Sequence, residues 1–235
     1  MSLESYSRKR TKLIRSFYFM NCFFGFIAFF ALSSPSGLIS NTFASDRGIS
    51  TSAEEVRPLL TGQSVPSVQV KSIDGKVVNL KELVSIKPAV IVFYRGGWCP
   101  FCNLQLKELK TVEPELLKLN YQLIAISADR IEELKKSKSK HDISYSLFSD
   151  SSMEAARAFG LAFKVDDSTL GKHKTYGIDL EKSSGEVHHV LPVPAVFIVS
   201  KDGEIKFEYV NPNYKVRLNS KILTVAAQVY AEPRK

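Results

Sequence analysis

The sequence predicts an α/β fold over residues 56–235, in which a central mixed β-sheet is flanked by helices. Two apolar runs, AVIVFY at residues 89–94 and YQLIAIS at residues 121–127, have the composition of strands buried on both faces. Segments with helical periodicity follow each run. AVFIVS and EIKFEYV, separated by Lys201-Asp202-Gly203, form a closing hairpin. This order is typical of one alternating α/β domain.

The remaining elements follow in chain order. GQSVPSVQVKSIDGKVVNLKEL, residues 62–83, predicts an N-terminal β-hairpin that turns at Asp74-Gly75. Helical spacing predicts helices after residue 102, over 128–140, over 151–163 and over 216–231, with a strand at 144–150. Pro114 predicts a kink in the first of these helices. Residues 163–189 are polar and irregular, which predicts an inserted surface segment.

The N-terminal 44 residues predict an export signal peptide or a membrane anchor. Five basic residues precede an uncharged apolar stretch at residues 17–32. That stretch is short for a spanning helix, which needs about 20 residues, although residues 13–32 together could anchor the chain. Small residues suit cleavage near Ser33 or Ala44, and Cys22 lies inside the apolar stretch. We therefore expect an exported, periplasmic or extracytoplasmic protein, a linker at 45–55, and membrane contact only through an uncleaved segment.

The charge of the chain does not indicate a nucleic-acid partner. The net charge is +8, and half of it lies in the first 44 residues. The basic run KKSKSKH at residues 135–141 is typical of a solvated helix end. We expect no nucleic-acid binding.

The motif that carries chemistry is WCPFC, which contains Cys99 and Cys102 directly after a predicted central strand. Arg95-Gly96-Gly97 supplies a turn, and Pro100 suits the first turn of a helix. The free N–H groups and the dipole at a helix N-terminus stabilise a thiolate, and Arg95 adds to this effect. The pattern favours a dithiol that cycles through a disulfide.

Two other interpretations of the cysteine pair stay open. A structural disulfide would stabilise little, because a loop of four residues constrains the unfolded chain weakly. A zinc site usually takes four ligands, and only His188 and His189 could join the two cysteines. Adjacent histidines in an extended segment point to opposite faces, so we expect no metal.

The helical position of each cysteine predicts its role. Cys99, at the helix start, is expected to be exposed and to be the attacking thiol. Cys102 is expected to face inward, one turn later, and to resolve the intermediate. Trp98 is either a lid over Cys99 that contacts the partner or a partly buried aromatic side chain.

Several separate segments resemble the peroxiredoxin-like family of the alkyl hydroperoxide reductase and thiol-specific antioxidant class. They are FYRGGWCPFCNLQLKEL, SYSLFSDSSMEAARAFGL, YGIDLE and LPVPAVFIVSKDGEIKFEYVNPNY, and the resemblance covers roughly residues 56–229. It implies a thioredoxin-like fold, antioxidant oxidoreductase activity, no cofactor and a thioredoxin-like or other thiol reductant. It also implies a cis-proline at Pro194, and substrate contacts from Arg95, Trp98 and Pro194.

Two departures from the family pattern bear on the site. Conventional members carry Pro-x-x-x-Thr/Ser-x-x-Cys at this turn, which would place the peroxidatic cysteine at Cys102, with Cys99 in the Thr/Ser position and Arg95 in the Pro position. They also carry an arginine just before the late strand, where this chain has Pro194. Arg95 is the candidate substitute for that arginine, whose work is to stabilise the charge on the departing oxygen.

The sequence thus predicts a thiol oxidoreductase in which Cys99 and Cys102 alternate between dithiol and disulfide while hydroperoxides are reduced. One alternative is a thioredoxin-like protein disulfide oxidoreductase without peroxidase activity. A second is a non-enzymatic exported module in which Cys99 and Cys102 form a structural bridge. In that last case Cys102→Ser would destabilise the fold without altering any redox assay.

Overall fold

A computed structural model of the protein describes residues 47–231. The predicted signal or anchor at residues 1–44 lies outside the described residues, as does the start of the linker. Within the described part of the chain, no helix is both long and apolar enough to cross a bilayer.

Seven strands form one mixed sheet, and two more form a separate ribbon. In chain order the strands are β1 (Gln69–Ser72), β2 (Val77–Asn79), β3 (Ala89–Tyr94), β4 (Gln122–Ser127), β5 (Ser146–Ser149), β6 (Ala162–Lys164), β7 (Val190–Pro192), β8 (Ala195–Val199) and β9 (Ile205–Val210). The large sheet has the order β2-β1-β5-β4-β3-β8-β9, and β6 pairs with β7. Because β3–β4 and β4–β5 are parallel and the other pairs are antiparallel, the predicted mixed sheet is confirmed.

Helices cover both faces of this sheet. They are α1 (Leu80–Ile86), α2 (Pro100–Lys118), α3 (Ile131–His141), α4 (Glu154–Ala158), α5 (Asp167–Thr175), α6 (Leu180–Ser184) and α7 (Ser220–Tyr230), with a short 3-10 turn at Ala53–Glu55. Alternate residues of β3 enter two separate apolar clusters. Val90 and Val92 pack with residues of α2, α3 and α7, whereas Ile91 and Phe93 pack with residues of α1 and α4. All six residues of β3 are buried, as its continuous apolar sequence predicts.

The N-terminal hairpin and the closing hairpin are confirmed. β1 and β2 pair antiparallel around Asp74 and Gly75, and Gly75 adopts the left-handed conformation that the turn requires (φ +83°). β8 and β9 pair antiparallel with an irregularity between Ile198 and Val199. The helix α2 runs through Pro114.

Several expectations about the polar segments were wrong. Residues 163–189 are not irregular: they complete β6 and form α5 and α6, because Asp166 and Asp179 accept N–H groups at the two helix starts and stabilise helices with little apolar signal. Helix α1, which the sequence did not predict, begins in the same way at Asn79. The helix expected over residues 151–163 ends at Ala158, and Gly160 turns the chain into β6 (φ +68°).

Candidate active site

The turn between β3 and α2 places both cysteines at the end of the central strand. Cys99 immediately precedes the first helical residue, Pro100, and Cys102 lies in the first turn of α2. The Cys99 N–H donates to the Gly96 carbonyl (3.1 Å). Gly97 lets the turn pass close to α3, because a Cβ there would lie 2.0 Å from the Ser137 hydroxyl oxygen and would have to displace it. The turn and its contact with α3 together set the entry of the chain into α2.

Cys99 is more buried than the sequence predicted, whereas Cys102 faces inward as expected. Cys99 is 1% exposed and Cys102 is 0% exposed, and both are free thiols. The expectation that Cys99 is exposed was wrong, because it belongs to the same apolar cluster as Tyr94 and Val196, against which the partly buried Trp98 also packs. A helix start is solvent-exposed only when no other segment covers it.

The two thiols differ in their tendency to ionise. The hydrogen bond from the Cys102 thiol lowers the pKa of Cys99 to about 6, with further help from the Cys102 backbone N–H, Arg95 and Arg217, although burial opposes them. Burial, together with the bond to Cys99, raises the pKa of Cys102 well above its usual value. Near neutral pH the favoured state is a Cys99 thiolate that accepts a hydrogen bond from the Cys102 thiol.

Arg95 lies beside this pair within a cluster of rings. Its side chain is buried, its Nη2 lies 3.1 Å from Nε2 of His173, and its guanidinium carbon lies 4.1 Å from the centroid of the Tyr214 ring and 4.9 Å from that of Trp98. Burial and the Arg95 charge lower the pKa of His173, so its ring is neutral at pH 7 and its Nε2 can accept from Arg95. Two aromatic faces and a neutral acceptor thus hold a buried cation.

Arg217 reaches the pair from the loop between β9 and α7. Its Nη2 donates to the Cys102 sulfur at 3.4 Å, a distance suited to a hydrogen bond to sulfur. Its Nη1 donates to the carbonyls of Tyr214 and Val216, which ties the side chain to its own loop. Arg95 and Arg217 therefore bring two guanidinium groups to one dithiol.

Asp129 lies on the other side of the turn, directly after β4. Its side chain is buried and accepts the Gly97 N–H at 2.7 Å. Burial raises the pKa of this carboxyl to about 7, although the hydrogen bonds from Gly97 and Ser127 oppose the shift. Asp129 holds the turn in place and changes charge near neutral pH.

A cavity of about 250 Å³ opens beside Arg95. Its wall includes Arg95, Pro194, Tyr214, Phe163, Asp166 and Thr169. Pro194 therefore faces the same space as Arg95, as its predicted contact with substrate requires.

The cis peptide bond predicted at Pro194 was wrong, because the bond before Pro194 is trans. The chain stays extended from β7 into β8, with the Val193 N–H bonded to Leu161 and the Pro194 carbonyl accepting from Asn211.

The structure gathers four of the five predicted site residues into one cluster, namely Cys99, Cys102, Arg95 and Trp98, and places the fifth, Pro194, on the adjoining cavity. Trp98 is partly buried against the apolar cluster that contains Cys99, and its ring lies 5.3 Å from that of His173. Its role as a lid that contacts a partner stays a prediction. His188 and His189 contact different groups, the Ser151 carbonyl and the Glu181 carboxylate.

Four residues of the site were not singled out from the sequence: Asp129, His173, Tyr214 and Arg217. Asp129 carried a usable signal, because it follows a parallel strand and the carboxyl ends of such strands meet at one edge of the sheet. His173 and Tyr214 lie in polar segments, and Arg217 lies at the start of the helix predicted over 216–231. None carries a local signal for the site, and only the packing of α5 and of the β9–α7 loop brings them to the cysteines.

A thioredoxin-like α/β fold with a free dithiol at the start of the helix after its central strand defines a thiol-dependent oxidoreductase. Residues 61–208 match the family model of the AhpC/TSA family. The chain belongs to this family, and it is a thiol-based antioxidant oxidoreductase of the peroxiredoxin-like kind.

Similar proteins carry related names. Peroxiredoxin Bcp of Escherichia coli K12 is 29% identical over 140 residues, covering 57% of this chain and 86% of that protein. The thiol-disulfide oxidoreductase ResA of Bacillus thuringiensis Al Hakam is 23% identical over 157 residues, covering 67% of this chain and 73% of that protein. The crystal structure of peroxidoxin BcpB from Mycobacterium tuberculosis superposes with a TM-score of 0.57 at 16% identity, covering 73% of this chain and 98% of that one, which shows the shared fold.

Proposed function

We propose that the protein reduces hydroperoxides with Cys99 as the attacking thiolate and Cys102 as the resolving thiol, and that a thioredoxin-like or other thiol reductant restores the pair. One arrangement carries this assignment: Cys99 stands at the N-terminus of α2, and its surroundings lower the pKa of Cys99 and raise that of Cys102. A thiol with a pKa of about 6 is about nine-tenths ionised at pH 7, against about 3% for an ordinary cysteine. The thiolate is the nucleophile, so the first attack belongs to Cys99.

The chemistry balances with the two cysteines and one hydroperoxide. The Cys99 thiolate attacks the distal oxygen, the O–O bond breaks, and Cys99 becomes a sulfenic acid while the departing alkoxide takes a proton. The Cys102 thiolate then attacks the Cys99 sulfur and displaces hydroxide, which gives the disulfide. The peroxide is reduced by two electrons to an alcohol and water, and the dithiol is oxidised by two.

The family pattern would give the opposite roles, with Cys102 as the peroxidatic cysteine. Two features favour Cys99. The Cys102 thiol donates a hydrogen bond to the Cys99 sulfur, which stabilises the Cys99 thiolate. Cys99 also stands at the N-terminus of a long helix, where unpaired N–H groups favour negative charge.

The second candidate is a protein disulfide oxidoreductase, which the likeness to ResA favours. A protein disulfide must bring its sulfur in line with the attacking sulfur, and Cys99 is 1% exposed. A hydroperoxide is far smaller than a folded partner protein, which would need the cover over Cys99 to move. Burial therefore favours the hydroperoxide.

Stopped-flow fluorescence tests the proposal, because Trp98 is the only tryptophan and adjoins Cys99. The full chain carrying Cys22→Ser, so that Cys99 and Cys102 are the only thiols, is reduced and mixed with hydrogen peroxide or an alkyl hydroperoxide. We expect oxidation orders of magnitude faster than that of free cysteine. Cys99→Ser should abolish this reaction. Cys102→Ser should retain the first step and accumulate a sulfenic acid that dimedone traps.

Three outcomes would contradict the proposal. Oxidation no faster than that of free cysteine, together with rapid reaction with a protein disulfide, would establish the second candidate. Fast oxidation in Cys99→Ser but not in Cys102→Ser would assign the attack to Cys102. A large fall in melting temperature in Cys102→Ser, with no redox activity in the parent, would indicate the structural bridge.

We also propose that the protein works outside the cytoplasm, on the strength of the basic and apolar pattern in residues 1–32. A fusion of residues 1–46 to a phosphatase that is active only outside the cytoplasm should be active. Removal of the basic residues at positions 8–10 should reduce that activity. Activity confined to the cytoplasmic fraction would contradict export.

A further inference from the structure

The Arg217 side chain is the cation that contacts the second cysteine. Its Nη2 lies 3.4 Å from the Cys102 sulfur, and its Nε is buried without a hydrogen-bond partner. Hydrogen bonds from its Nη1 to two carbonyls of its own loop hold the guanidinium in place. A partly buried cation directed at a neutral thiol gains little while that thiol stays neutral, but it gains a charge-assisted bond when the thiol ionises.

We propose that Arg217 is a catalytic residue of the resolving step, in which it stabilises the Cys102 thiolate that attacks the modified Cys99. The proposal rests on the dithiol cycle proposed above. Both arginines favour charge on Cys99 before the first attack, and Arg217 also holds charge on Cys102 after it.

The negative charge moves from Cys99 to Cys102 during the reaction, which is why a cation beside Cys102 is needed. Before reaction the negative charge is on Cys99, and Cys102 keeps its proton. Once the first attack has made Cys99 neutral, the departing alkoxide can take the Cys102 proton, and the charge moves to Cys102. Cys102–S⁻ then forms the S–S bond with Cys99, and hydroxide leaves from the sulfenic acid. Charge is conserved, and Arg217 faces the sulfur that carries it between the two steps.

The other groups around Cys102 do not supply this stabilisation. Tyr94 on β3 and Asp129 after β4 both interact with it electrostatically, and an ionised Asp129 opposes a thiolate. Cys99 lies across the helix turn and is neutral once oxidised. The backbone N–H of Arg95 favours the thiolate, but it carries no net charge. Arg217 is thus the charged partner that the thiolate has in this site.

The resolving step can be measured without a peroxide. The full chain carrying Cys22→Ser is mixed with a twofold excess of an aromatic disulfide reagent whose released thiolate absorbs visible light. The first release reports attack by Cys99, and the second release reports attack by Cys102 on the mixed disulfide. In Arg217→Gln we expect the second rate at pH 7 to fall about 10- to 100-fold, the effect of losing a hydrogen bond to a charged group, while the first rate falls much less.

The pH profile separates this role from a structural one. Without Arg217 the Cys102 thiol should need a higher pH to ionise. The rise of the second rate with pH should therefore lie at more alkaline pH in Arg217→Gln than in the parent. Arg217→Lys keeps a positive charge and should restore part of the rate. Lys215→Gln removes one positive charge from an exposed residue of the same loop, whose Nζ lies 6.0 Å from the centroid of the Tyr214 ring, and should leave both rates unchanged.

An Arg217→Gln variant that is folded, as judged by its melting temperature, and whose second rate and pH profile match those of the parent would overturn the proposal. So would an equal loss of both rates in Arg217→Gln and Lys215→Gln, since that would indicate disorder of the loop. Neither result depends on peroxidase activity. If the protein did not reduce peroxides, the two rates with the aromatic disulfide would still decide whether Arg217 assists the attack by Cys102.

Discussion

Arg95 and His173 lie 78 positions apart in the chain, yet Nη2 of the first is 3.1 Å from Nε2 of the second, and both side chains are buried. Arg95 follows the central strand β3, and His173 lies on α5 in a segment that the sequence marked only as polar. The contact fixes the arginine beside the cysteines without a carboxylate partner. It therefore leaves the positive charge of Arg95 available to the thiolate.

The first prediction concerns Arg95 and the ionisation of Cys99. In Arg95→Met the pKa of Cys99 should rise, because one of the positive charges that lower it is lost. Peroxide oxidation between pH 6 and 7 should slow accordingly, and the difference from the parent should shrink at higher pH. Ultraviolet absorbance of the thiolate against pH measures the shift. The exposed Arg57→Met is the matched control, and an unchanged titration in Arg95→Met would contradict the assignment.

His173 predicts a loss of stability in acid. Its pKa is lowered in the folded protein, so the unfolded chain binds the proton more readily. The stability from the neutral ring is fully present above pH 6.5, the ordinary value, and is lost as the pH falls from there through the lower folded-state pKa. His173→Gln should flatten this dependence. Urea unfolding between pH 5 and 8 tests it, and identical slopes for parent and variant would rule it out.

A second substitution separates the acceptor of His173 from its bulk. His173→Phe keeps a ring near Trp98 but leaves Nη2 of Arg95 without its acceptor. We expect His173→Phe to lower the free energy of unfolding by about 1–3 kcal/mol. His173→Gln, which can still accept a hydrogen bond, should lower it less. Equal losses in the two variants would show that ring packing, and not the hydrogen bond, is what matters.

The buried Asp129 should make the protein less stable as the pH rises, which is opposite to the effect of His173. Its folded pKa is about 7 against an ordinary value of 3.8, so the folded protein binds more protons between these values. Its contribution to stability is greatest below pH 4 and declines as the pH rises through 7. Asp129→Asn keeps an acceptor for Gly97 and removes the decline, so its stability relative to the parent should be greater at pH 8 than at pH 5. The same comparison with Asp74→Asn, on the exposed β1–β2 turn, should show no such trend.

Gly97 predicts a steric effect beneath the cysteine pair. A Cβ there would lie 2.0 Å from the Ser137 hydroxyl on α3, so Gly97→Ala must displace that hydroxyl, α3 or the turn. We expect a loss of about 1–3 kcal/mol in the free energy of unfolding and slower oxidation of Cys99. Gly171→Ala is the matched control, because α5 leaves open space around Gly171. It should be neutral or stabilising by up to about 1 kcal/mol. Equal stability of the two variants would contradict this account.

The sequence predicted the secondary structure of the core better than that of the polar segments. The strands β3 and β4 were predicted because a continuous apolar run is the direct signature of burial on two faces. Helices α5 and α6 were missed because their first turns depend on single side-chain caps at Asp166 and Asp179, and their apolar residues are few. The burial of Cys99 was missed because it depends on segments that are far away in the sequence.

The sequence by itself determined the class of fold, the two hairpins and the pair of cysteines at the start of a helix after the central strand. These features follow from local periodicity and from the few residue types that suit a helix N-terminus. Only the tertiary structure decided which groups surround the sulfurs. His173 and Tyr214 hold Arg95, Asp129 holds the turn, and Arg217 contacts Cys102. The physical reason is that the pKa of a buried thiol depends on charges a few ångströms away, and long-range packing sets those distances.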